Sequence, residues 1–239
     1  MPCPSVGCAL EGVFFFTMIR ALIMDFDGLI LDTEGPAYRS WLEIFEEFGA
    51  ELPLSVWETW IGGSPHGFDP CGYLEGQVGH SVDREGLTRR ALEREEELIE
   101  AKGVLPGVEE YVGDAKRLGL KLGLASSSDC EWVFKYLEKL GLRDKFDCIK
   151  CADDVEKVKP EPDLYLAVLE GLDLPPQEAI ALEDSPNGIT SAQAAGLFCV
   201  VVPNALTLKL STDHADLELS SLADVPLEEL VSRVQVGGG

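Results

Sequence analysis

The sequence predicts an α/β protein, a doubly wound parallel sheet interrupted once by an all-helical insert. Three observations predict it. Short, nearly continuous apolar runs recur along the chain, helix-length amphipathic segments separate them, and each run stops abruptly at polar residues or proline. Strands covered on both faces read as such runs, because neither side meets water.

Ala21-Leu22-Ile23-Met24 forms the first strand and runs into Asp25. From about Thr33 to Lys102 no strand is legible. Tyr38–Phe48 instead places Trp41, Ile44, Phe45 and Phe48 on one helical face and stops at Gly49, and a second long helix rich in Arg and Glu covers about Asp83–Ala101. Between them Ile61–Gly67, marked by Gly and Pro, reads as a loop. The chain re-enters the sheet at Leu105-Pro106-Gly107.

A helix over Val108–Leu118 leads to the second strand, Leu120–Ala125, which ends at Ser126-Ser127-Ser128. Helix Glu131–Leu140 follows, and Cys148–Cys151 reads as a short strand. Helix Pro162–Leu169 precedes a strand over Ala179–Leu182, which ends at Glu183-Asp184; helix Asn187–Ala195 and strand Phe198–Val202 complete the pattern. Gly141 and Gly196 stand where helix C-termini favour a left-handed residue. Ligands of doubly wound sheets bind beyond the carboxyl ends of the strands. Asp25, Ser126 and Asp184 all fall there.

Composition narrows the partners. With 19 Lys and Arg against 43 Asp and Glu the net charge is −24, so the chain has little basic surface for a nucleic-acid backbone or an anionic membrane. Seven cysteines in a chain of 239 residues do not suggest a disulfide framework. Cys148 and Cys151 form the one CxxC, with no second pair or nearby His to complete a zinc site, so buried free thiols in a reducing cytoplasm are expected. Met1–Thr17 has no Lys or Arg and lacks the pattern of a secretory signal. It reads as a disposable extension ahead of Met18, with a packed N-terminal arm as the other reading.

An acidic protein that handles an anionic ester must neutralise charge locally. Asp25 and Asp27, at i and i+2 of an extended chain, are expected on one side of it, where they need a cation. Mg²⁺ is held by one or two carboxylates together with water and phosphate oxygens, and Asp184 adds a carboxylate from another strand end. An aspartate can attack a phosphoryl group to give an aspartyl-phosphate. Asp27 is placed to protonate the leaving oxygen and then activate water. Ser126 and Ser127 offer polar groups, and Lys159 a point charge, for the phosphoryl oxygens, although Ser127, like Ser128, also reads as a loop or capping residue. Taken alone, Lys159 also reads as a solvated loop lysine, and Glu183 as a cap for the helix near Pro186.

Asp-Phe-Asp-Gly-Leu-Ile-Leu-Asp-Thr, Ala-Ser-Ser-Ser, Val-Lys-Pro-Glu-Pro-Asp and Leu-Glu-Asp-Ser-Pro-Asn-Gly-Ile occur in that order. They resemble the four motifs of the haloacid dehalogenase-like hydrolase superfamily. Placement of the insert is similar to its helical-cap members, the phosphoglycolate phosphatase and β-phosphoglucomutase group. The resemblance implies a Rossmann-like core over 18–32 and 103–239, a helical cap over 33–102, and an extension over 1–17. It further implies Asp25 as nucleophile, Asp27 as acid/base with its backbone carbonyl on Mg²⁺, Ser126 and Lys159 on phosphate, Asp184 on the metal and Glu183 in support.

Within that group, Asp27 favours phosphoryl transfer over dehalogenation. β-Phosphoglucomutase-like members carry a His four residues beyond the Thr of the first motif, where this chain has Ala37, and their cap loop carries a Lys and an Arg that Trp60–His66 lacks. Hydrolysis of a small phosphorylated metabolite is therefore expected, with a sugar-phosphate mutase and an inactive metabolite-binding relative as alternatives. Cap candidates for the substrate are Glu34, Tyr38, Gly62, Gly63, Ser64, His66 and Arg94. For Arg94, an i,i+3 ion pair within its helix is the competing use. A cytoplasmic monomer or weak homodimer is expected.

Overall fold

Strand β1 (Ala21–Met24) lies inside a six-stranded sheet in which every neighbouring pair is parallel. The other strands are β2 (Lys121–Ala125), β3 (Cys148–Lys150), β4 (Ala179–Glu183), β5 (Phe198–Val201) and β6 (Leu217–Glu218), in the order β3-β2-β1-β4-β5-β6, so β1 pairs with β2 and β4. The computed structural model describes residues 18–57, 68–204 and 206–237. Between β1 and the next sheet strand come α1 (Glu34–Glu47), α2 (Leu54–Trp57), α3 (Pro70–Val78), α4 (Arg84–Lys102) and α5 (Val108–Arg117). The later crossovers use α6 (Cys130–Lys139), α7 (Asp163–Leu172) and α8 (Pro186–Ala194), and α9 (Leu227–Gly237) closes the described chain.

Burial explains why β1 is almost purely aliphatic. Ala21, Leu22, Ile23 and Met24 are all fully buried. Leu22 and Met24 join an apolar layer with Tyr111, Val133 and Leu230, while Ala21 and Ile23 join the opposite layer with Leu164, Val168 and Ile189. Each large side chain so placed contributes roughly 1.5–3 kcal/mol of burial. Register then aligns the ends: Met24 faces Leu124 of β2 and Leu182 of β4. Asp25, Ser126 and Asp184 therefore emerge from neighbouring strands at one edge.

The helices from α1 to α4 have a core of their own. Ala37, Trp41, Ile44 and Phe45 of α1 pack with Leu52, Trp57, Leu74, Leu87 and Ala91. Where this segment leaves and rejoins the sheet the chain runs beside itself: Leu31 bridges Val104, and Leu105 N–H donates to Ile30 O at 2.9 Å. Lys135 of α6 reaches Glu96 of α4 at 2.5 Å, and Lys102 reaches Asp32 at 2.6 Å.

Candidate active site

Asp25 follows β1 directly, with its N–H donating to Leu182 O at 3.0 Å. Lys159 arrives from the loop before α7, and its Nζ lies 2.5 Å from Asp25 Oδ1 and 2.7 Å from Glu183 Oε1. The lysine side chain is only 6 % exposed. Tyr165 of α7 puts its ring under Nζ, 5.2 Å to the centroid, and donates its hydroxyl to Glu183 Oε1 at 2.5 Å. Lys159 thus sits between two carboxylates and over an aromatic face, which is not the setting of a solvated loop lysine. Burial disfavours its charge, but Asp25 and Glu183 outweigh this and hold it above the ordinary lysine range.

Glu183 ends β4, and Asp184 follows it. Carboxylate oxygens of Asp25, Glu183 and Asp184 lie within 4.8 Å of one another, and all three residues are buried. Burial, then Glu183, pushes the Asp25 carboxyl up to about 8, against the opposing pull of Lys159. Asp184 is driven well above its usual range by burial and then by Asp25 and Glu183. Three carboxylates against one lysine leave excess negative charge in a dry place. An all-oxygen donor set from two strand ends fits a hard divalent cation such as Mg²⁺.

Two glycines permit this crowding. A Cβ on Gly188, in the first turn of α8, would come within 1.9 Å of Glu183 Oε2, so the helix could not approach the carboxylate with any side chain there. Gly28 has φ +85°, and a Cβ on it would meet Asp184 Oδ2 at 2.2 Å. Asn204, beyond β5, completes the corner by donating Nδ2 to Asp184 Oδ2 at 2.7 Å.

Asp27 has a different setting. The strand ends at Met24, and beyond Asp27 the chain turns, with Gly28 N–H donating to Leu31 O at 2.7 Å. The Asp27 carboxylate lies outside the buried trio and accepts from Ser128 Oγ at 2.7 Å, Trp132 Nε1 at 3.1 Å and Ser126 Oγ at 3.3 Å. Ser126 is fully buried, whereas Ser127 is exposed. Ser128 and Trp132 were not singled out by sequence. Their signal was weak: Ser128 sits one residue before Asp129, whose side chain caps α6 by accepting from Trp132 N–H at 2.8 Å.

Of the helical-insert candidates, Glu34 lies near Asp27. Burial and then Asp27 raise its carboxyl to about 7, and Glu95 of α4 is raised to about 8 by burial, Glu34 and Asp27. Tyr38 donates to Leu52 O at 2.9 Å and packs on Trp57, which places it inside the helical core. Arg94 pairs with Glu43 at 2.9 Å and Glu97 at 2.8 Å, so the ion-pair use is the one observed. Gly62, Gly63, Ser64 and His66 lie outside the described residues.

A family model described as haloacid dehalogenase-like hydrolase matches residues 22–202. The chain belongs to this family. As a haloacid dehalogenase-like hydrolase it is 49 % identical over 217 residues to the Bacillus subtilis protein YhcW, spanning 91 % of this chain and 98 % of that one. It is 31 % identical to hexitol phosphatase B of Escherichia coli, with 89 % and 97 % covered. Among solved structures, a CbbY mutant of Rhodobacter sphaeroides in complex with xylulose-(1,5)-bisphosphate is 29 % identical with a TM-score of 0.68, covering 89 % of this chain and 99 % of that one. With such relatives, this hydrolase is an enzyme of the phosphatase class that acts on phosphorylated metabolites. Among the described residues, no helix is long and apolar enough to cross a membrane.

Proposed function

We propose that this hydrolase cleaves the phosphomonoester of a small hydroxylated metabolite, a sugar or polyol phosphate, through an aspartyl-phosphate on Asp25. The observation that carries the reading is the position of Lys159, buried between Asp25 and Glu183 with Asp184 alongside. Asp25 and Asp184 would hold Mg²⁺, with the Asp27 carbonyl as the further ligand that the family resemblance implies. Bound there, Mg²⁺ supplies positive charge against the phosphoryl oxygens and the carboxylates.

The residues of the chain divide the remaining work. A carboxylate oxygen of Asp25 attacks phosphorus as the bond to the ester oxygen breaks, and Asp27 gives that oxygen its proton. Water then attacks the acyl phosphate while Asp27 takes a proton back, releasing inorganic phosphate and restoring Asp25. Lys159, Ser126 and Ser127 stabilise the phosphoryl oxygens. Ser128 and Trp132 hold the Asp27 carboxylate in place beside the carboxylate trio, where it serves the leaving oxygen.

Substrate preference follows from the approach to Asp27. Glu34 and Glu95 are both acidic, and Arg94 is engaged elsewhere, so hydroxyl groups suit the leaving group better than a carboxylate or a second phosphate. The phosphatase relative that acts on hexitol phosphates points the same way. Ala37, buried in the helical core, supplies none of the control expected of a mutase.

Asp25→Asn should reduce Mg²⁺-dependent hydrolysis of an aryl phosphate at least ~10³-fold with the fold retained. In a single turnover in ¹⁸O-water, the wild-type enzyme should leave no label in Asp25 if water attacks phosphorus, and repeated turnover should keep all label in phosphate. Label accumulating in Asp25 would place water attack on the carboxyl carbon instead. Undiminished activity in Asp25→Asn would remove the mechanism altogether.

A further inference from the structure

A second group of ligating atoms lies beside the Ser126–Ser128 loop. Cys130 is the first residue of α6; Cys151 and Asp154 bracket the short 3-10 turn Ala152–Asp154 that follows β3. Their sulfur and carboxylate atoms all fall within 4.8 Å of one another. The sequence pairs Cys151 with Cys148 as a CxxC, but the fold sets Cys151 beside Cys130 instead.

The group is built rather than accidental in its geometry. Asp154 Oδ2 accepts from Cys151 N–H at 2.9 Å and lies 3.6 Å from Cys130 Sγ. The Cys151 side chain in turn accepts from the backbone of Asp154, closing a reciprocal capping pair. Asp153 Oδ2 takes Cys130 N–H at 2.7 Å. Both thiols are free, Cys151 is fully buried, and Asp154 opens to solvent. Tetrahedral zinc with bonds of ~2.3 Å to sulfur and ~2.0–2.2 Å to oxygen needs ligand atoms under about 4 Å apart, a small contraction from what is present.

We propose that Cys130, Cys151 and Asp154 bind a thiophilic divalent cation of the Zn²⁺ class, in a site separate from the all-carboxylate Mg²⁺ site. Two thiolates select a soft metal, while the three oxygen donors at Asp25, Glu183 and Asp184 select a hard one. Binding displaces one proton from each thiol to solvent and leaves the fourth position to water. The site also touches the catalytic loop. Ala152 N–H donates to Ser128 O at 2.9 Å, and α6 carries Trp132 to Asp27. An ion here would tie the start of α6 to the 3-10 turn.

Co²⁺ titration of the full-length, chelator-stripped protein tests this. One equivalent should produce a thiolate-to-cobalt charge-transfer band in the near ultraviolet, which carboxylate ligation at the Mg²⁺ site does not give. Zn²⁺ should bleach it. Cys130→Ser, at a half-exposed helix start, should abolish the band while keeping Mg²⁺-dependent phosphatase activity, and Asp154→Asn should weaken Co²⁺ binding more than about tenfold. Absence of a band at stoichiometric Co²⁺, or a band that survives in Cys130→Ser, would overturn the proposal.

Discussion

Ion pairs of nearly identical length occur at two places in this molecule. At the carboxyl edge of β1 and β4, Lys159 lies 2.5 and 2.7 Å from Asp25 and Glu183. On the outer faces of α1, α3 and α4, Arg84, Arg90 and Arg94 lie 2.5, 2.7 and 2.9 Å from Glu75, Glu47 and Glu43. Burial separates them: the Lys159 side chain is 6 % exposed and that of Arg84 51 %. In the first place charge cannot be relieved by water and every partner is constrained. In the second, water screens the pair and either member can turn away. Distance alone therefore says little about which charges matter.

Substitution sharpens the contrast. Lys159→Met should be the most damaging change, lowering kcat by at least ~10³-fold. Unfolding of that variant in urea with a chelator present should show a loss of roughly 3–5 kcal/mol, because Asp25 and Glu183 are left buried without a counterion. Stability equal to wild type would mean that the buried pair is no different from a surface one. Next in size, Ser128→Ala and Trp132→Phe should each lower kcat about tenfold with little change in KM, read from steady-state kinetics across pH. An unchanged near-ultraviolet circular dichroism spectrum distinguishes loss of these hydrogen bonds from general loosening.

A smaller effect concerns the seam between α1 and α4. Glu34 and Glu95 have carboxyls raised to about 7 and about 8. The folded state then holds protons that the unfolded chain, with ordinary carboxyls near 4.5, has released, so stability falls as pH rises from about 4.5 to about 8. Thermal midpoints measured over that range should decline more steeply in wild type than in Glu95→Gln. Parallel curves would break the link. At the lower end, Arg94→Ala should leave both kcat/KM and the thermal midpoint unchanged within error, since its pairs are exposed. A large fall in kcat/KM would return Arg94 to the substrate.

Much of this was legible in the chain. Apolar runs ending at Asp25, Ser126 and Asp184 fixed which residues emerge at one edge, because a parallel register aligns strand ends. The short strand at Cys148 was also readable, whereas β6, of two residues with one exposed, carries too little apolar pattern to be seen. The partners of Asp27 were not legible, because Ser128 and Trp132 reach it from beyond the end of β2 and from α6. Asn204, Tyr165 and Trp132 were invisible as site residues because each comes from a helix or loop whose local pattern records only packing, and only tertiary structure carries its polar atom to a carboxylate.

The hydrogen-bonded crossing of Ile30–Leu31 with Val104–Leu105 has an architectural consequence. Since the outgoing and returning chains touch, about seventy residues are spliced into the sheet protein at what is, in space, a single point. Closing such a loop requires little entropy beyond what the neighbouring backbone already provides, and that cost grows only slowly with length. Length added or removed beyond this neck therefore costs the sheet that carries Asp25 little.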